Sequence, residues 1–268
     1  MGQDILGFIS VNDDPHKFDG THIDAETGLH VCDTCGTPRE LVLLNGKKVF
    51  MLCKCLDEKR NREEQRQRDI ERQHAFDLRQ QFISRKYRDV YLSDDDGSNK
   101  RMSRTVKKYV EQFKEIYYPK NLGIMFYGNV GGGKTHYASI IANELCKRGN
   151  DVMMYSEQEL ISKASDFETR DDFFKNVSKF DLLVVDDFNA TNQSEFNRAK
   201  ILEVIDTRYA SGKPMIITTN TSREEMISDA NDRTPSRLLE VCYPIKIEGN
   251  RRIEKAKENY NKYKKYFE

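Results

Sequence analysis

From about residue 100 onward, apolar positions fall into short unbroken runs separated by stretches with helical spacing. The runs are NLGIMFY, DVMMYS, FDLLVVDDF, KPMIITTN and YPIKIEG. Each has the length of a strand buried on both faces. Between them lie helical patterns: RTVKKYVEQFKEIYY, THYASIIANELCKRG, SEQELISKASD, SEFNRAKILEVIDTRYASG and SREEMISDAN. Gly149 sits where a helix C-cap belongs, and Ser156 to Glu159 reads as a capping box. Strands alternating with helices predict an α/β fold, with a five-stranded, mostly parallel sheet covered on both sides.

The pattern changes before residue 91. Residues 57–90 hold almost no Gly or Pro and are dense in Glu, Gln and Arg, with isolated apolar residues only late in the run. This predicts a charged linker helix, either solvated or serving as a basic arm. Residues 1–56 lack helical periodicity. Within them, ELVLLNGKKVFMLCKC predicts a β-hairpin turning at Asn45-Gly46, with Cys53 and Cys55 ending its second strand. The chain thus divides into 1–56, 57–90 and 91–268.

Composition narrows the function classes. Lys plus Arg and Asp plus Glu are both 44, so the net charge is zero and any nucleic-acid surface must be local. The N-terminus has neither a cationic start nor an apolar core of the secretory type, and no run is long enough to cross a membrane. A cytoplasmic protein without a membrane partner is expected, in which the six cysteines are not disulfides. Cys146 and Cys242 lie in apolar segments and read as small buried hydrophobes.

Tyr127 to His136 reads YGNVGGGKTH, and Gly128 to Thr135 matches the phosphate-binding loop pattern in full. Backbone amides of Gly128, Asn129, Val130, Gly131, Gly132 and Gly133 are expected to cradle phosphates, with Lys134 on the β and γ phosphates. Thr135 would ligate Mg²⁺, and His136 continues the binding turn. LLVVDD, from Leu182 to Asp187, ends an apolar strand in two carboxylates. Asp186 is expected to serve Mg²⁺ and Asp187 to polarise the attacking water. Many ATPases carry Glu at the latter position, and the shorter Asp suits slow hydrolysis. Asn220 ends KPMIITTN, where it would meet the γ-phosphate or merely cap the next helix. Arg237, in TPSRLLEV, suits stabilisation of phosphate charge from a neighbouring subunit, or else a surface ion pair. Arg233 is its rival, and Arg251 and Arg252 are further candidates.

Together these motifs resemble an AAA+ ATPase, with Walker A at Gly128–Thr135, Walker B at Leu182–Asp187, a sensor-like Asn220 and an arginine-finger-like Arg237. The block RYASGKPMIITTN, followed by Ser-Arg-Leu and Gly-Asn-Arg-Arg, is similar to the DnaC/DnaI helicase loaders and IstB-like transposition ATPases. The likeness covers roughly residues 100–255. It implies an AAA+ P-loop core with little or no lid, ATP and Mg²⁺ as cofactors, and self-association in the ATP-bound state.

Cys32-x-x-Cys35 and Cys53-x-Cys55 supply four thiolates at spacings that close a tetrahedral Zn²⁺ site, with His22 or His30 as substitutes. Four protein ligands make such a site structural. DnaI-type loaders resemble this layout, which implies a zinc-binding N-terminal domain that grips a DnaB-type hexameric helicase and an ATPase domain that binds single-stranded DNA. A phage-encoded loader is compatible. The rivals are a transposition helper or DnaA-like initiator acting on duplex DNA, and a small-molecule kinase. Acidic residues before Cys32 (Asp13, Asp14, Asp19, Asp24, Glu26) favour a protein partner over phosphate there. DNA contact falls to Lys100, Arg101, Arg104, Lys107 and Lys108 or to the Arg-rich linker.

Overall fold

The computed structural model describes residues 18–189, 194–228, 233–249 and 251–267, without the side chains of 251–255. The chain forms two compact units, residues 1–74 and 75–268.

In the first unit, β1 (Thr21–Ile23) pairs antiparallel with β2 (His30–Cys32), and β3 (Glu40–Val42) pairs antiparallel with β4 (Lys48–Phe50). The expected hairpin exists, but it turns through Leu44, Asn45 and Gly46 rather than two residues. Leu43 N–H donates to Lys47 O (2.9 Å) and Gly46 N–H to Leu43 O (2.8 Å), with Gly46 at φ +78°. A left-handed glycine closing a three-residue loop is the bulged form of this turn. Cys53 and Cys55 do not end a strand, because β4 stops at Phe50 and Cys55 lies in the first turn of α1 (Lys54–Gln80).

Helix α1 buries no residue. Along its surface Arg60 pairs with Asp57 and Glu64, Arg68 with Glu64, and Arg72 with Asp69, all one turn apart, and near its end Phe76 packs against the core. It ends ten residues before the expected limit at 90, at Gln80. The following residues form a strap with a 3-10 turn at Arg85–Tyr87. Ile83 bridges in parallel to Met154 and is fully buried, and Tyr87 is 3% exposed.

The second unit is an α/β/α sandwich. In chain order it contains α2 (Lys100–Glu111), β5 (Gly123–Tyr127), α3 (Lys134–Lys147), β6 (Val152–Ser156) and α4 (Glu157–Ser165). Next come α5 (Arg170–Lys179), β7 (Leu182–Phe188), α6 (Glu195–Ala210) and β8 (Met215–Thr219). Last are α7 (Arg223–Ser228), α8 (Arg233–Val241), β9 (Cys242–Lys246) and α9 (Arg251–Tyr263). The five-stranded sheet has the order β6-β7-β8-β5-β9, and every pairing is parallel.

Alternation along the strands divides the core. Ile124, Phe126, Met154, Val184 and Ile216 face α2 and α3. Met125, Met153, Leu183, Val185 and Ile217 face α4, α5, α6 and α8. The strap lies along β6, the edge strand: Met154 N–H donates to Phe82 O and Ser84 N–H to Met154 O, both 2.9 Å. The capping box at Ser156 is present, and its Glu159 also accepts from the Ser84 hydroxyl at 2.7 Å. Helix α5 was not expected from the sequence, since Phe173, Phe174 and Val177 give it too narrow a stripe to separate from a loop. Among the described residues, no helix is long and apolar enough to cross a membrane.

Candidate functional site

The carboxyl ends of the parallel strands converge on the loop between β5 and α3. Gly128 is required there on two counts. Its φ is +130°, and a Cβ on it would lie 2.3 Å from Ile247 O. Gly133, at φ +99°, is the N-cap of α3, so the helix's first amides point into the loop.

Lys134 is 6% exposed, and its ammonium donates to Gly128 O, Asn129 O and Asn220 Oδ1, each at 2.8 Å. Asn220 follows β8 and thereby ties the sensor position to the loop lysine. Its expected place beside the phosphate loop is thus occupied.

Asp186, 1% exposed, ends the buried run of β7. The Thr135 hydroxyl donates to its Oδ1 at 2.8 Å, as does the Thr218 hydroxyl at 2.6 Å. The Tyr87 hydroxyl donates to Oδ2 at 2.8 Å. Burial, then the adjoining Asp186 carboxylate, pushes the Tyr87 phenol well above its ordinary range, so Tyr87 stays a donor. Asp187 turns the other way. A register shift between Val185 and Phe188 places it at φ +54°, exposed, with its N–H donating to Thr218 Oγ1 at 2.9 Å. Left-handed backbone in a non-glycine residue is costly and clusters at functional sites.

A cleft of about 1190 Å³ opens over these groups. Val130, Gly131, Gly133, Lys134, Thr135, His136, Asp187 and Asn220 line it, with Asp89 and Val90 of the strap on a further wall. Asp186 is not on the lining and reaches the cleft through Thr135. A carboxylate behind a hydroxyl at the head of an amide-lined loop is a donor set that suits Mg²⁺ with a triphosphate. Arg237 is not on the lining either. It pairs with Asp206 of α6 and lies 5.3 Å from the Tyr209 ring. Arg233 begins α8 and is exposed. The Arg251 and Arg252 side chains lie outside the described residues, as do Asp13 and Asp14.

Sequence reasoning missed Tyr87, Asp89, Val90 and Thr218. Thr218 had a signal: it is a polar residue in an apolar strand, two positions from Asn220. The strap residues were hidden by reading the charged helix through to residue 90.

In the first unit, the sulfurs of Cys32, Cys35, Cys53 and Cys55 all lie within 4.8 Å of one another. Tetrahedral thiolate coordination of Zn²⁺, with bonds of about 2.3 Å, asks for sulfurs roughly 3.8 Å apart, which this spacing fits. The Thr37 hydroxyl, then backbone amides, lowers the Cys35 thiol to about 6. Hydrogen bonding with the Cys53 and then the Cys32 sulfur raises Cys55 to about 12. Neither histidine joins the cluster: His22 pairs with Asp33 at 2.7 Å, and His30 stacks on Phe18.

A family model described as "IstB-like ATP binding protein" matches residues 51–258. The chain belongs to that family. Among its IstB-like relatives, the replicative helicase loader DnaC of Escherichia coli (strain K12) is 27% identical over 186 residues, covering 68% of this chain and 72% of DnaC. A crystal structure of DnaI superposes with a TM-score of 0.52 at 26% identity, over 63% of this chain and 94% of that one. An AMPPCP-bound DnaA from Aquifex aeolicus shares the fold, with a TM-score of 0.50 at 23% identity, over 66% of this chain and 55% of that one. The AAA+ α/β core expected from the motifs is therefore the fold of this IstB-like chain.

Proposed function

We propose that this protein is a cytoplasmic ATP-driven helicase loader. In this reading its N-terminal unit, folded around Zn²⁺, grips a DnaB-type hexameric helicase, and its ATPase unit delivers that helicase to single-stranded DNA. What supports the reading is a phosphate-loop cleft with Lys134 bonded to Asn220 and Thr135 to Asp186, in a chain similar to a replicative helicase loader over 68% of its length.

The residues divide the work as follows. The amides of Gly128–Gly133 hold the phosphates, and Lys134 exchanges its loop carbonyls for phosphate oxygens. Asn220, now bonded to Lys134, senses that exchange. Thr135, backed by Asp186, would hold Mg²⁺, which when bound would neutralise phosphate charge. Asp187 orients the attacking water. Arg237, on an outer helix, acts on the nucleotide of a neighbouring copy, which makes hydrolysis depend on self-association.

Native mass titration against the host replicative helicase tests this with the full chain, Cys53→Ser and Lys134→Ala. A stoichiometric complex is expected with wild type and with Lys134→Ala, and none with Cys53→Ser, which still binds nucleotide. If wild type forms no complex but binds duplex DNA in an ATP-dependent way, the transposition-helper or initiator reading replaces this one.

A further inference from the structure

Asp186 accepts from three hydroxyls, and only two of them belong to the motifs that bind nucleotide or neighbour them. The third, from Tyr87, comes from the strap that precedes the sheet within the second unit. The strap is firmly placed. Ile83 continues the edge of the sheet at Met154, and the Asn143 amide of α3 donates to Tyr87 O at 2.8 Å and to Val90 O at 3.0 Å. Asn143 lies on the helix that the phosphate loop caps, so one element sets the positions of both the loop and the strap. The strap then continues as a wall of the nucleotide cleft at Asp89 and Val90.

The two carboxylate oxygens of Asp186 have different tasks. Oδ1 accepts from Thr135, the candidate Mg²⁺ ligand, and from Thr218, while Oδ2 accepts from Tyr87 Oη. A buried carboxylate with one oxygen left without a donor turns to find another. That rotation carries Oδ1 off the Thr135 hydroxyl. Holding Oδ2 is therefore a way of holding Oδ1.

We propose that Tyr87 is a positioning residue for the Mg²⁺ site, fixing the Asp186 carboxylate so that Thr135 is presented to the metal. The role acts through Asp186, and Tyr87 touches neither phosphate nor metal. The inference rests on the reading of the cleft as an Mg²⁺-nucleotide site. Asp89 and Val90 need no change for it to hold.

The test is Tyr87→Phe in the full chain, which keeps the ring in its pocket and removes one hydroxyl. The affinity for a fluorescent ATP analogue is measured in EDTA and in saturating Mg²⁺, and the thermal midpoint is recorded without nucleotide. The expected result is an unchanged affinity in EDTA and a ratio of the two affinities reduced roughly tenfold or more, the scale of one hydrogen bond to a charged group. An unchanged or increased ratio overturns the proposal. So does a loss of affinity in EDTA that matches the loss in Mg²⁺, since Tyr87 would then merely support the fold. If wild type binds the analogue but shows no Mg²⁺ dependence, the reading of the site falls first, independently of Tyr87.

Discussion

Asp186 and Asp187 are adjacent in sequence and opposite in circumstance. Asp186 is buried under three hydroxyls, while Asp187 is exposed in left-handed backbone. The β-bulge produces this division by turning one carboxylate inward and the next toward the cleft. Two substitutions separate the chemistry from the strain. Asp187→Asn keeps a side chain that tolerates left-handed backbone. It should leave nucleotide affinity within about twofold and slow phosphate release about a hundredfold or more, read by a coupled phosphate assay. Asp187→Gly should lose hydrolysis equally but unfold about 2–4 °C higher, because about 1 kcal/mol of backbone strain is relieved. A lower melting temperature in Asp187→Gly would show that the turn is not strained. The pairing of a phosphate loop with a downstream acid is legible from sequence because both are local patterns. The division of labour between the two acids is not, because it depends on a bulge that no residue type announces.

One tightly bonded element junction is built on Arg208 of α6. The side chain is fully buried, and its guanidinium donates to the carbonyls of Val177, Phe180, Asp181 and Pro214 at 2.7–2.9 Å. Burial lowers its pKa to about 10. One side chain thus pins the end of α5, the entry to β7 and the entry to β8. This gives a physical reason for the Arg-Tyr-x-x-Gly-Lys-Pro block on which the resemblance to loaders rests. Arg208→Met would leave three buried carbonyls and one half-buried carbonyl without that donor, and should cost about 3 kcal/mol or more in urea unfolding. A loss under about 1 kcal/mol would mean that water replaces the guanidinium. Strands and most helices were readable because their apolar periods are regular. The strap was not, since one buried isoleucine and one buried tyrosine in a charged run carry no period. Its order comes from tertiary hydrogen bonds to β6 and α3.

For the molecule as a whole, zero net charge means that the proposed DNA contact would fall on local faces. Helix α2 buries Met102, Val106, Tyr109 and Val110 and exposes Lys100, Arg101, Arg104, Lys107 and Lys108 along its outer side. Lys107 is already engaged with Glu111 at 3.9 Å. Reversing Lys100, Arg101 and Arg104 to Glu should weaken single-stranded DNA binding and flatten its log–log salt dependence by about 0.7 per lost contact. An unaltered slope would assign the face to solvent.

The sheet order also bears on how the protein is made. The phosphate loop is encoded near the middle of the chain, yet β5 pairs only with β8 and β9, and Gly128 packs against the backbone of Ile247. A ribosome that has translated β5, α3 and β6 has produced the binding motif without either of its neighbouring strands. In the proposed reading, the nascent chain therefore carries a full Walker motif before the strands and the Ile247 backbone that complete its cleft have been made.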